Sequence, residues 1–360
     1  MGSSHSALCE TMSAAPLALS VLDLVPVRTG QTSAQAIAAS LATADAADRL
    51  GYRRYWFAEH HNMPAVASTT PPVLVAAAAA RTSRIRLGSG GVMLPNHSPL
   101  VVAEQFAALE AIAPGRIDLG IGRAPGSDPV ITQLLRQSGT TSDVDRFPDN
   151  IRDILALSSP EGASLRFTSG QEYAVRATPA AATPPAVWLL GSSDYSAQLA
   201  ASMGLPYVFA NHFSGEGLER ALDLYRSQFR PAADGDTPST FLTANVVVGD
   251  TDAEAHALAL PQLRMMARLR GGRPLTALET VEQAHSAEAS DGLATPLASW
   301  AAERWFVGTA DAVTERLREF ATRWEVDEIM ISPVAAARDS DPMDAAPARL
   351  RTLENLATAA

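Results

Sequence analysis

The stretch RYWFAEHHNMPAVASTTPPVLVAAAAARTSRIRLGSGGVML, residues 54–94, reads as strand, helix, strand. Its first eight residues carry aromatics and short apolar side chains, which suit a pleated strand. Residues 71–83 open on prolines, tolerated in a first helical turn, and run on through alanine. Residues 85–94 return to a strand pattern. Strands joined by a helix rather than a tight turn lie parallel and bury both faces.

The same unit repeats on either side. Upstream, 17–24 reads as a strand and 33–50 as a helix that Gly51 stops. Downstream come a helix over 99–112, a strand over 117–124 and a long helical stretch through 157. A polar excursion, 158–185, has room for a small hairpin. Strands are then expected over 186–193, 207–213, 241–250 and 327–334, separated by helices over 194–203, 217–229, 252–270 and 311–324. About eight strand–helix units in alternation predict an α/β fold, a closed (β/α)8 TIM barrel. An open doubly wound sheet is the competing architecture. It would place a GxGxxG phosphate loop after the first strand, and LDLVPVRTG lacks that spacing. The expected organisation is a disordered leader (1–15), the barrel (16–336) with a mobile lid or insertion (265–300), and a tail (337–360) ending in a short helix.

Composition narrows the chemistry. The 360 residues are 47% hydrophobic and carry a net charge of -11, which argues against a nucleic-acid footprint. The chain contains no lysine, so all 28 basic residues are arginine. Schiff-base lysine chemistry and a Walker lysine are excluded, and any phosphate falls to arginine, hydroxyls or backbone amides. The single cysteine, Cys9, excludes an internal disulfide framework and cysteine metal cages. The leader MGSSHSALCETM has no apolar signal core; its start fits an N-myristoylation pattern, against which stands the plain reading of a disordered leader. The longest apolar run, near 73–80, is too short to span a bilayer, so no membrane is expected and the location is read as cytoplasmic.

Catalytic groups of such a barrel belong at the C-terminal ends of its strands. Asp23, His60, His61, Asn96, His97, Arg123, Ser192, Ser193, Asn211 and His212 all fall there. If residues 54–61 stay extended, Trp56, Ala58 and His60 share one face while Phe57, Glu59 and His61 share the other. Adjacent strand histidines chelate poorly, and no HExxH spacing occurs, so no metal is expected. One inward imidazole suits acid–base work, with a hydrogen-bonded structural histidine as the alternative. Gly88, Gly90 and Gly91 allow either a close approach to a planar ligand or a bend at a barrel corner. Arg123 suits a phosphate or an ion pair with Asp128. Gly191, Ser192, Ser193 and Ser196 mark a helix N-terminus that either binds an anion or is simply capped.

Taken in order, RYWFAEHHNMP, RIRLGSGGVMLPNHSPLVVAEQFAALEAIAPGRIDLGIGRAPG and VWLLGSSDYSAQLAASMGLPYVFANHF resemble the bacterial luciferase-like family of flavin-dependent monooxygenases. The likeness runs from Leu17 to about Val334 and is nearest the branch with stand-alone subunits that includes polyketide-tailoring oxygenases. It implies a TIM barrel, usually a homodimer, that takes reduced FMN from a separate flavin reductase and oxygenates a small organic substrate through a flavin hydroperoxide. Carried over by position, His60 matches the active-site histidine, and Gly90–Gly91 the pair joined by a non-proline cis peptide beside the flavin. Arg123 matches a phosphate arginine; Ser192, Ser193 and Ser196 match phosphate-lining positions; Leu190 and Gly191 match backbone contacts along the cofactor. Asp23, His97, Asn211 and His212 are the substrate-side candidates. Gly122 stands where luciferase has a reactive cysteine, and Ser192 where it has an acidic residue. The first departs from light-emitting aldehyde oxidation, and the second makes the phosphate pocket less acidic. Segment 265–300 matches the family's lid. The rival readings are a deazaflavin-dependent hydride-transfer enzyme, which needs no dioxygen, and a non-catalytic flavin-binding protein.

Overall fold

A computed structural model describes residues 17–124, 129–136, 144–213 and 215–359; the expected leader, 1–15, lies outside them. The strands in chain order are β1 (Ala18–Asp23), β2 (Arg54–Phe57), β3 (Arg86–Met93), β4 (Ile117–Gly122), β5 (Ala163–Arg166), β6 (Glu172–Val175), β7 (Ala186–Gly191), β8 (Tyr207–Phe209), β9 (Thr240–Val248), β10 (Phe306–Gly308) and β11 (Glu328–Pro333). Eight of them, β1-β2-β3-β4-β7-β8-β9-β11, pair in parallel and close back onto β1. This is the expected (β/α)8 barrel. The antiparallel hairpin β5–β6 stands apart from the ring, within the polar excursion.

Three details differ from the expectation. β2 stops at Phe57, so Glu59, His60 and His61 belong to a loop, and strand alternation does not decide where they point. The helical stretch through 157 is two helices, Pro129–Arg136 and Phe147–Ser158. An additional strand, β10, pairs in parallel with Val246–Val248 of β9, past the residues of β9 that pair with β8.

The barrel is filled from within. Leu22, Trp56, Ala58, Trp188, Val208, Phe241 and Met330 form one buried cluster, and the rings of Trp56, Trp188 and Phe241 meet at 4.9–6.0 Å. Beneath this layer Arg54 lies between Asp118 (3.0 Å) and Glu328 (2.8 Å), its guanidinium 4.6 Å from the Trp188 ring. Asp118 also accepts from Trp56 Nε1 and Arg86, and Glu328 from Ser20. Burial pulls the Arg54 pKa down, and the two carboxylates more than offset it. Every charge in the layer has a partner, as low-dielectric surroundings demand.

Beyond the ring, residues 265–300 continue the helix Asp252–Arg270 and include the helix Val281–Asp291. Arg264, fully buried, joins the two through Glu279 (2.7 Å), Glu288 (2.5 Å) and Asp291 (2.7 Å). Its hydrogen bond to Asp291 is the main cause that lowers that carboxyl to about 2.

The C-terminal helix Pro347–Ala359 is pinned by Arg349, which donates to Asp23 (2.6 Å), the Pro333 carbonyl (3.2 Å) and Ser40 (3.3 Å). Asp23 also accepts from Tyr55 Oη and the Val25 amide. Replacing Arg349 by Met leaves a buried carboxylate uncompensated, and such a break costs roughly 3–5 kcal/mol. The expected result is a clear loss of stability in denaturant titration. A change under about 1 kcal/mol would show that the pair is not what holds the tail, since a broken buried pair costs several times that.

Candidate active site at the barrel mouth

The rim at the C-terminal ends of the strands gathers groups from β2, β3, β8 and β9. After β2, the loop is pinned by the His60 amide to the Ser68 carbonyl (3.0 Å) and by Ser68 Oγ to Ala58. Glu59, buried to 1% exposure, receives two imidazoles on one oxygen: His61 Nε2 at 2.9 Å and His97 Nε2 at 2.8 Å. Its other oxygen accepts the Met93 amide at 3.0 Å. A carboxylate only accepts, so both rings carry their proton on Nε2. Burial raises the Glu59 pKa, but the donors from His61, His97 and Met93 outweigh it, and the group stays below the usual carboxylate range.

His60 differs from its neighbour. Its Nδ1 is buried without a hydrogen-bond partner among the described residues. Burial lowers its pKa, with His61 adding to the effect and Glu59 opposing it. The ring is therefore a neutral imidazole at neutral pH.

Beside it, β3 slips register on β4 between Ser89 and Val92, and the Gly90–Gly91 peptide in this bulge is cis. A Cβ at Gly90 would lie 2.6 Å from Leu22 Cδ1, and one at Gly91 2.9 Å from the Gly120 carbonyl. The glycines thus serve strand contact and leave a stretch of wall without side chains.

At the ends of β8 and β9, His212 Nδ1 lies 2.6 Å from Thr243 Oγ1, which also accepts the His212 amide (3.2 Å) and contacts the Phe209 carbonyl (3.2 Å). Asn245 Nδ2 donates to the His212 carbonyl at 2.8 Å. Burial and a like-charge effect from His60 push the His212 pKa down to about 4. Asn211, also buried, borders a separate cleft of about 900 Å³ on the barrel flank, lined by Arg304 and Leu218 among others.

A quarter-turn away, Arg123 is exposed just past β4 and stacks 4.2 Å from the ring of Tyr195. Tyr195 sits in the first turn of the helix Asp194–Met203, which follows β7. The cation from one strand and the helix N-terminus from another therefore converge. Ser193 is the N-cap and Ser192 is exposed beside it. Ser196 Oγ turns inward to the Ser193 carbonyl (2.8 Å) and Tyr207 Oη (3.2 Å). A Cβ at Gly191 would collide with that hydroxyl. Leu190 packs onto the interior aromatic layer.

Two expectations need correction. Asp23 is not on the substrate side: its carboxylate is buried and consumed by Arg349, Tyr55 and the Val25 amide. Ser196 completes the cap from beneath, with its hydroxyl spent on protein groups, so it does not line the helix end. Asp128, the alternative partner of Arg123, lies outside the described residues. Sequence reasoning passed over Glu59, Tyr195, Thr243 and Asn245. Phe241, Thr243 and Asn245 alternate along an otherwise apolar strand, and polar residues at period two on a buried face were the signal for the last two.

The pattern describing the luciferase-like monooxygenase family matches residues 18–328. A protein named luciferase-like monooxygenase from Escherichia coli (strain K12) is 38% identical over 320 residues, covering 88% of this chain and 91% of its own. The solved structure of apo-MsnO8 superposes with a TM-score of 0.82 at 35% identity, covering 95% and 98% of the two chains. Two more distant structures share the fold alone. One is the FMN-bound oxygenating constituent of 3,6-diketocamphane monooxygenase from Pseudomonas putida (18% identity, TM-score 0.69, 95% and 97% covered). The other is an F420-dependent secondary alcohol dehydrogenase (13%, 0.61, 95% and 99%).

The depressed histidines set a pH dependence whose sign is fixed. His212 titrates near 4 folded against about 6.5 unfolded, so the unfolded chain binds more protons between those values. Stability is full above about pH 6.5 and falls as pH drops towards 4; His60 contributes in the same direction. Glu59 acts lower, its contribution being lost only as pH falls below 4.5. Urea midpoints measured from pH 8 to 4.5 are expected to decline below 6.5, and less so in His212→Gln. A flat profile in the unsubstituted protein would contradict the burial of these rings.

Proposed function

The chain belongs to the luciferase-like monooxygenase family, and on that footing we propose that it is a monooxygenase using reduced FMN and dioxygen on a small organic substrate. The observation that carries this reading is the convergence of Arg123 and the N-terminus of Asp194–Met203 through Tyr195. Free amides at a helix start and a bidentate guanidinium are the two devices by which a lysine-free chain holds a phosphate.

The residues at the mouth fit an isoalloxazine ring as well. Gly90–Gly91 offers wall without side chains, Leu190 and Gly191 lie on β7, and the Nδ1 of His60 is buried without a partner among the described residues. Reduced FMN, when bound, supplies the two electrons that let one atom of dioxygen enter the substrate while the other leaves as water. The chain does the rest. Arg123, Ser192 and Ser193 anchor the phosphate, with Ser196 supporting their cap. Glu59 holds the loop that carries His60, and His60, neutral near pH 7, takes or returns a proton at its ring nitrogen. Residues 265–300 cover the mouth and exclude water, which preserves a reactive oxidant.

In this reading the flavin arrives reduced from a separate reductase, the chain works as a cytoplasmic homodimer, and the reaction belongs to secondary metabolism. The FMN-bound diketocamphane oxygenase supports flavin use; the F420 enzyme on the same fold makes dioxygen consumption the deciding measurement.

Oxygen uptake with FMN, NADH and a flavin reductase is expected to require this protein's substrate and to be coupled to product. Replacing Arg123 by Ala is expected to weaken FMN binding about tenfold, or ~1.4 kcal/mol, by fluorescence quenching. His60→Ala keeps that affinity within about threefold, roughly 0.7 kcal/mol, yet slows turnover. Equal FMN affinity in Arg123→Ala would remove the phosphate site, and unchanged turnover in His60→Ala would remove the proton role.

A further inference from the structure

We infer that His212 is a substrate-recognition residue: Thr243 locks it as the Nδ1–H tautomer, and its Nε2 accepts a hydrogen bond from a neutral hydroxyl group of the substrate. The inference rests on the reading of the barrel mouth as the substrate site, while the tautomer itself stands on geometry alone.

Three groups meet at Thr243 Oγ1, and one assignment makes a hydrogen bond of all three contacts. The Phe209 carbonyl, 3.2 Å away, has no proton, so the hydroxyl donates to it. The His212 amide, also at 3.2 Å, has no lone pair, so it donates to the hydroxyl. The hydroxyl proton is then used, and the third partner, His212 Nδ1 at 2.6 Å, bonds only as an N–H donor. With Nδ1 protonated, Nε2 of the neutral ring carries the lone pair. Turning the hydroxyl towards Nδ1 would forfeit its bond to the Phe209 carbonyl, which would keep the Asn211 amide at 2.8 Å.

The surroundings hold that state. Thr243 and Asn245 are 2% and 3% exposed, so the clamp has no water to compete with it. Asn245 fixes the His212 backbone from the same face of β9. Burial, and then the like charge of a protonated His60, disfavour a positive charge on the ring. Arg270, at the end of the helix Asp252–Arg270, is engaged with the Phe213 carbonyl and stacks on Trp300 at 3.8 Å. A neutral ring with a free lone pair has two consequences for specificity. It rewards a ligand O–H, because a ligand that covers the acceptor and leaves it unpaired forfeits affinity. It gives no charge to bind a carboxylate. The substrate class is therefore a neutral molecule with an alcoholic, phenolic or enolic hydroxyl near the oxidised centre. Thr243 is a positioning residue for this contact.

The test uses full-length protein labelled with 15N-histidine, with and without FMN. Nitrogen spectra at pH 7 should give the His212 signal, identified by its loss in His212→Gln, as a neutral ring protonated at Nδ1. In Thr243→Val that preference should collapse towards the commoner Nε2–H form, a readout that a purely structural threonine would not move. Phenol, as a neutral hydroxyl probe, should bind the FMN-loaded protein about tenfold more weakly after His212→Phe, and benzoate should bind more weakly than phenol throughout. An Nε2–H signal in the unsubstituted protein overturns the tautomer. Equal phenol affinity in His212→Phe, or tighter binding of benzoate, overturns the recognition role. If FMN fails to bind at all, the cofactor reading falls, while the spectra and the phenol titration without flavin still decide this one.

Discussion

Arg54 closes one end of the barrel. Held between Asp118 and Glu328 and laid against Trp188, it ties β2 to β4, β11 and β7 inside the ring. A guanidinium buried this way is tolerable only because both carboxylates, Ser20, Arg86 and Trp56 Nε1 saturate the layer. With the aromatic rings of Trp56, Trp188 and Phe241 stacked above it, the interior is full over its lower half. Any ligand must enter from the other end, where the strands stop early and loops take over.

At that end the chain replaces bulk with absence of bulk. β3 and β4 come together at Gly120, where a Cβ would strike the Ser89 carbonyl, and the bulge at Gly90–Gly91 follows from the same closeness. Small residues here are first a packing requirement. The wall without side chains that results is the surface on which the flavin reading depends, so one constraint serves both.

Among the described residues of the mouth, the buried carboxylate of Glu59 is matched by histidines rather than by arginine, and burial disfavours charge on His60 and His212. Arg123 stands apart from them, exposed beside Tyr195. Under the proposed function this separation puts the imidazoles in the low-dielectric part of the site and the cation at its wetter edge.

The amino-acid sequence by itself determined the alternation of strands and helices, hence the closed barrel and the end at which its polar residues gather. These rest on local propensity and on the buried-both-faces pattern of parallel strands, which a linear reading detects. That any phosphate would have to be held without lysine was equally legible, because the chain has none. What each polar residue does was decided only by the tertiary structure. Asp23 and His97 look alike on paper as strand-end residues, yet Asp23 faces Arg349, 326 positions away in the chain, while His97 meets Glu59 across 38. Ending β2 at Phe57 rather than at His61 freed four residues from alternation and let Glu59 turn towards both rings. Partners brought together by closure of the ring leave no trace in local spacing, and hydrogen bonds and burial, which set tautomer and charge, exist only once those partners meet.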